Sequence, residues 1–178
     1  DVEISLEVLN RDGVVQRLRD NVDDLYIMSK PPVDIDAVIH AFLPNPLVLI
    51  APVGHALAGR TRVMLADLHA ERFVLREKGS GTRLTTDAHF AKHRFVPRLR
   101  LEMGSNEALK QAVAGGLGLS VVSQHALGPD LAGQGLTVLG VEGFPVESNW
   151  YTVYLRGKRL SPLATAFMQY LDHFAAKA

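Results

Sequence analysis

The 178-residue chain contains no cysteine, which excludes disulfides, a cysteine-ligated zinc and a thiol nucleophile at once. It also lacks an excess of charge: Lys+Arg and Asp+Glu each total 19, so the formal net charge at pH 7 is zero. A domain that held DNA or an anionic membrane by charge alone would be visibly basic. Long apolar runs are missing too. The longest, Pro46 to Val53, has the length of a strand and falls well short of the ~20 residues that span a bilayer. The first residues alternate apolar and polar side chains, unlike the basic-then-apolar opening of a secretory leader. These absences point to a soluble, cytoplasmic chain that does not contact a membrane. The remaining composition (47% hydrophobic, 21% charged, 15 Gly, 9 Pro) is close to the globular average and excludes disorder, collagen and coiled coil. The length suits one domain or two small lobes.

Residues 2–8 alternate strictly and predict a strand with one wet face. Asp12 is placed to cap a helix carrying Val14, Val15 and Leu18. Leu25–Met28 is an unalternating apolar run, as expected of a strand covered on both faces. Further strands are expected over 37–43, 47–53 and 73–75, with a short helix near 65–70. The next helix carries Leu84, Ala88 and Ala91 at helical spacing. Leu99, Leu101 and Met103 mark a half-exposed strand, and Gly104-Ser105-Asn106 opens a helix with Leu109, Ala112, Val113 and Gly116 on one stripe. Strands follow at 119–123, 136–139 and 150–155. Ser161-Pro162 starts a last helix whose buried stripe is Leu163, Phe167, Tyr170, Leu171 and Phe174. Regular alternation of strands and helices implies an α/β architecture with mostly parallel sheets. No internal repeat stands out.

Several places carry residues with possible chemistry. Gly79-Ser80-Gly81-Thr82 lies between a strand and a helix, where backbone N–H groups and the hydroxyls of Ser80 and Thr82 would face an anion. It is neither a Walker A loop nor a dinucleotide fingerprint, because position 84 is Leu; a plain helix cap is the competing reading. Gly104-Ser105-Asn106 is a second small polar helix entrance, and Ser29 and Ser123 stand at the ends of buried strands. In open α/β sheets ligands collect at strand carboxyl ends, although each residue taken singly is more readily a cap than a ligand contact. His89 and His93, four apart on a helix, match the spacing of a metal pair but lack further partners; Asp87 falls on the wrong face, and a solvated helix face is the alternative. No Gly-x-Ser-x-Gly elbow occurs, Asp23-Asp24 reads as a solvated turn, and no nucleophile–base set is present. No metal and no cofactor are expected, and nothing requires an enzyme. The glycines of Gly115-Gly116-Leu117-Gly118 suit a left-handed helix end and a close approach to the next strand.

The segment Gly104–Ser123 (Gly-Ser-Asn-Glu-Ala-Leu-Lys-Gln-Ala-Val-Ala-Gly-Gly-Leu-Gly-Leu-Ser-Val-Val-Ser) resembles the helix, Gly-Leu-Gly turn and strand of LysR-type transcriptional regulators, in their effector-binding (regulatory) domain. Phe73–Glu77, Gly79–Arg83 and Arg159–Pro162 support the resemblance, which covers the whole chain. Within the family the wording is similar to the subgroup that controls Calvin-cycle (RuBisCO) operons.

The resemblance implies two Rossmann-like lobes of the type II periplasmic-binding-protein kind joined by two crossover strands. Lobe I would be 1–76 with 148–178, and lobe II 77–147. A small anionic metabolite would bind in the inter-lobe cleft, with Ser29, Lys30, Thr82, Gly104, Ser105 and Asn106 as the effector-binding candidates. Its binding would be transmitted through a homodimer or homotetramer to a winged helix-turn-helix that is not among these 178 residues. The strand at 2–8 and the helix with Val14, Val15 and Leu18 are the expected dimer contacts. The family domain opens with a strand and helix ahead of the segment that begins at Val2, so the first strand and helix of lobe one are missing, and the chain is read as a piece of a longer regulator. The alternative is a free-standing solute-binding protein of a transport system, which shares the fold.

Overall fold

The computed structural model describes residues 3–176. In chain order the elements are α1 (Arg11–Arg19), β1 (Tyr26–Met28), β2 (Ala37–Pro44), β3 (Leu47–Pro52), a 3-10 turn (Leu65–Leu68), β4 (Arg72–Arg76), α2 (Gly81–Lys92), β5 (Arg98–Met103), α3 (Asn106–Ala114), β6 (Ser120–Ser123), a second 3-10 turn (Gln124–Ala126), β7 (Leu136–Val138), β8 (Asn149–Leu155) and α4 (Pro162–Ala175). They form two compact units: unit 1 is Asp1–Leu43 with Asn149–Ala178, and unit 2 is Pro44–Ser148.

Unit 1 is built on a three-stranded sheet of order β1-β8-β2, in which β1 runs antiparallel to β8 with Tyr26 opposite Val153. Val15 and Leu18 of α1 pack on Tyr26, Met28, Ala37 and Val153 to make its core. A polar clasp fixes the helix to the strand. The Tyr26 hydroxyl donates to the Arg17 carbonyl at 2.8 Å and accepts from the Asp23 N–H at 2.9 Å, while the Arg17 guanidinium grips both Asp23 carboxylate oxygens. That grip holds the Asp23 carboxyl below its ordinary pKa despite some desolvation.

Unit 2 joins an antiparallel β6-β3-β7 sheet to the parallel pair β4-β5. Phe73 bridges to Leu119 in parallel, with Val74 N–H donating to the Leu119 carbonyl at 2.9 Å. Successive side chains of a strand point to opposite faces, and here both faces are covered. Leu47, Leu49 and Ala51 of β3 join Phe73 and Leu75 of β4 in one core; Val48, Ile50 and Val74 join Leu109, Val113 and Val122 in another. This is why these runs are apolar without alternation. Phe73, Phe90 and Phe95 meet edge to face at 4.9–5.8 Å in the first core.

Several expectations are corrected. The compact units meet at Leu43/Pro44 rather than after Arg76, because β3 and β4 pair with β5, β6 and β7 and share their cores. The β1-β8, β3-β6 and β3-β7 ladders are antiparallel and β4-β5 is parallel, so the sheets are mixed. Residues 3–9 form no strand, and Ile4, Leu6 and Val8 are exposed; Val2 lies outside the described residues. Asn10 rather than Asp12 caps α1, its side chain accepting from the Gly13 N–H at 3.0 Å. In α2 the buried side is Arg83, Thr86 and Phe90, whereas Leu84, Ala88 and Ala91 are exposed. Of α4 only Ala164 is buried; Leu163, Phe167, Tyr170 and Phe174 are 42–61% exposed. Leu18 and Val15 lie in the unit 1 core, so they cannot be the surface contacts of a dimer.

Candidate functional site

At the carboxyl ends of β4 and β5 unit 2 gathers a polar cluster. Ser105 caps α3, its hydroxyl accepting from the Ala108 N–H at 3.1 Å. Asn106, the first residue of α3, accepts from Arg76 Nη1 at 2.9 Å, and the Gly104 carbonyl accepts from Arg76 Nη2 at 3.3 Å. Arg76 ends the apolar strand β4 and also holds Glu77 through Nε at 2.9 Å and Nη2 at 3.1 Å. A guanidinium offers five N–H donors, and these bonds leave one of them uncommitted. The arginine therefore fixes the helix entrance and holds its guanidinium, paired with Glu77, beside the end of α3 that favours anions.

The Thr82 loop is tied to the same strand ends by a residue outside the candidate set. Arg83 donates to the Arg76 carbonyl and to Glu102 Oε1, each at 2.7 Å, and its Nε reaches both Asp87 oxygens. Burial works against this charge, yet Glu102 and Asp87 outweigh it and hold the guanidinium above its ordinary pKa. Thr82 is half-buried in the first turn of α2, and Ser80 occupies the cap position without a side-chain capping bond. The structure thus brings Thr82, Gly104, Ser105 and Asn106 to one end of unit 2. Ser29 and Lys30 belong to unit 1, just past β1: Ser29 is half-buried, Lys30 is exposed, and the Lys30 carbonyl accepts from Arg11 Nε at 2.7 Å.

Arg76 is the functional candidate that sequence reasoning passed over. The signal available was its position at the end of a buried apolar run, the same logic that selects Ser29. Ser123, considered at the end of β6, is committed instead to structure: its hydroxyl donates to Asn45 Oδ1 at 2.6 Å and accepts from the His125 N–H.

His93 is exposed, whereas His89 is half-buried. Their ring centroids are 4.6 Å apart, His89 packs against Phe144 at 4.9 Å, and its Nε2 is buried without a hydrogen-bond partner. Desolvation, with His93 and Lys92 nearby, lowers the His89 pKa. Among the described residues no group of three or more His, Cys, Asp or Glu is arranged to hold a metal.

Two small units with polar strand ends and helix entrances define a ligand-binding α/β domain. The match is specific: residues 1–176 fit the LysR substrate binding domain model, and the chain belongs to that family. It is 47% identical over 169 residues to the RuBisCO operon transcriptional regulator of Acidithiobacillus ferrooxidans, covering 95% of this chain and 54% of that protein. A regulator of the same description from Allochromatium vinosum is 47% identical over 176 residues, 99% of this chain and 58% of that protein. The chain thus spans little more than half the length of these relatives, and the likeness to RuBisCO operon regulators expected from its wording is borne out. Among solved structures, the Synechocystis PCC6803 CcmR regulatory domain in complex with 2-PG superposes with a TM-score of 0.92 at 47% identity, over 97% of this chain and 83% of that one. These relatives are transcriptional regulators and regulatory domains rather than transport proteins, which sets the solute-binding alternative aside. Among the described residues no helix is long and apolar enough to cross a membrane.

Proposed function

We propose that this chain is the effector-sensing part of a LysR-type regulator of carbon-fixation genes. It binds a small anionic metabolite and passes that state, through a homodimer or homotetramer, to a DNA-binding domain elsewhere in the parent protein. The two compact units are the regulatory lobes. The observation that carries the reading is the 47% identity and 0.92 TM-score to a regulatory domain in complex with 2-PG. In unit 2 the anion is met by Ser105, Asn106 and the Gly104 backbone, with Arg76 supplying charge and Thr82 alongside; in unit 1 the candidate contacts are Ser29 and Lys30. A metabolite shifts such an assembly only by its difference in affinity for the two arrangements. The chain acts as a sensor, without catalysis of its own.

A thermal-shift series with 2-PG and other phosphorylated central-carbon metabolites tests this. At 100 times its Kd a specific ligand adds about 2.7 kcal/mol. The expected result is a shift with 2-PG that Ser105→Ala and Arg76→Gln each diminish. A folded protein unmoved by every compound in the panel would reject the anionic effector.

A further inference from the structure

The opposite end of β4 from Arg76 carries a second concentration of positive charge. Arg72 opens β4 and stands directly across the parallel ladder from Arg98 of β5. Like charges placed opposite one another destabilise a sheet pair. Two positions further along, Arg100 falls at the irregularity where Phe73 pairs with Leu99 but Val74 pairs with Leu101. The extra residue of a bulge is left unpaired and its side chain is re-aimed. None of the three arginines has a carboxylate partner among the described residues. Two are held in place by backbone instead: Arg98 Nη1 donates to the Ala70 carbonyl and Arg100 Nη1 to the Leu117 carbonyl, both at 3.1 Å.

Arg72 and Arg100, but not Arg98, line a cavity of about 270 Å³ together with His55 and the Gly116–Leu119 turn. Glu71 also lines it, facing His55 at 3.6 Å. We propose that this cavity is a second anion site on unit 2, taking a small molecule through its phosphate group. Guanidinium forks match phosphate oxygens bidentately, and a bound phosphate would relieve the repulsion that β4 and β5 carry. The cavity is small enough for a phosphate with a short body and is separate from the Ser105 entrance, since β4's five residues span ~13 Å. The inference does not depend on the function proposed above.

The probe is pyrophosphate, titrated calorimetrically into the full chain at low ionic strength, with sodium chloride at matched ionic strength as the reference. Binding is expected to weaken at least tenfold in Arg72→Gln/Arg100→Gln and to be unchanged in Arg62→Gln, which removes an exposed arginine that lines neither site. Should the double glutamine variant lose its fold, Arg72→Lys/Arg100→Lys keeps the charge without the fork and is expected to bind severalfold more weakly. Equal affinity in either folded arginine variant and the wild type overturns the proposal. So does a pyrophosphate effect no larger than that of matched salt, or binding that disappears in Ser105→Ala instead.

Discussion

Gly118 passes so close to Arg72 that a Cβ at position 118 would stand 2.5 Å from the Arg72 carbonyl oxygen and 2.9 Å from its carbonyl carbon. The Gly-Leu-Gly turn is therefore a point of backbone contact with β4, rather than with the strand that follows it. Both obstacles are backbone atoms, so no rotamer change relieves the clash. Gly118→Ala should destabilise the protein by about 1–3 kcal/mol or more. Gly116, at φ +75 with open space around its missing Cβ, should cost only about 1–2 kcal/mol as alanine. Urea denaturation of both variants checks the order.

Leu18 is fully buried between α1 and the unit 1 sheet. Leu18→Ala should cost about 2–5 kcal/mol by opening a cavity. Its signature is a lowered denaturation midpoint in a variant whose sedimentation at temperatures where it stays folded matches the wild type. A change in association state with unaltered stability would instead place Leu18 at a subunit contact.

Arg83 joins the start of α2 to the ends of both β4 and β5. Charge-assisted hydrogen bonds are worth about 1.5–3 kcal/mol each when a buried partner is left behind. Here Asp87 and Glu102 keep 49% and 34% exposure and can fall back on water. Arg83→Gln is therefore expected to cost about 2 kcal/mol in total, and Glu102→Gln less. Thermal denaturation of the two variants would show the difference.

His89 sets a pH dependence. Its folded pKa lies below the ordinary 6.5, first through desolvation and then through His93 and Lys92. The unfolded chain therefore takes up the proton more readily. The stability contributed by neutral His89 is complete above pH 6.5 and is lost as pH falls through the lower, folded value. Denaturation midpoints at pH 7.5 and 5.5 should diverge more for wild type than for His89→Leu, which removes the titrating group.

The inner strands of unit 2 were legible because they are covered on both faces: Leu47–Ala51 and Phe73–Leu75 read as unbroken apolar runs, and Ser105 stands where a cap must. Unit 1 was harder. The stripe Leu163, Phe167, Tyr170, Phe174 identifies a helix with one apolar face but does not say what covers it, and among the described residues it stays largely exposed. The cap read at Asp12 falls at Asn10, because the chain leaves helical geometry there. In α2 the reading followed side-chain polarity. The buried side holds an arginine because Glu102 and Asp87 satisfy it, and those partners are distant or unmarked in the sequence. Arg76 carries no spacing signal at all; only the folded strand end shows that it reaches Asn106.

Unit 1 is assembled from both ends of the chain, with unit 2 contained in the continuous stretch between them. On a ribosome unit 2 can be complete while the last strand and helix of unit 1 are still being made. Its folding also draws its own ends together: the Asn45 N–H donates to the Ser148 carbonyl at 2.8 Å, and Leu47 and Val146 exchange backbone hydrogen bonds next to it. The entropy of closing a loop of that length is then met inside unit 2, and β8 emerges already near the segment that must lead it to β1 and β2. Synthesis order and topology thus favour one sequence of events, with the insert folding first and the discontinuous unit last.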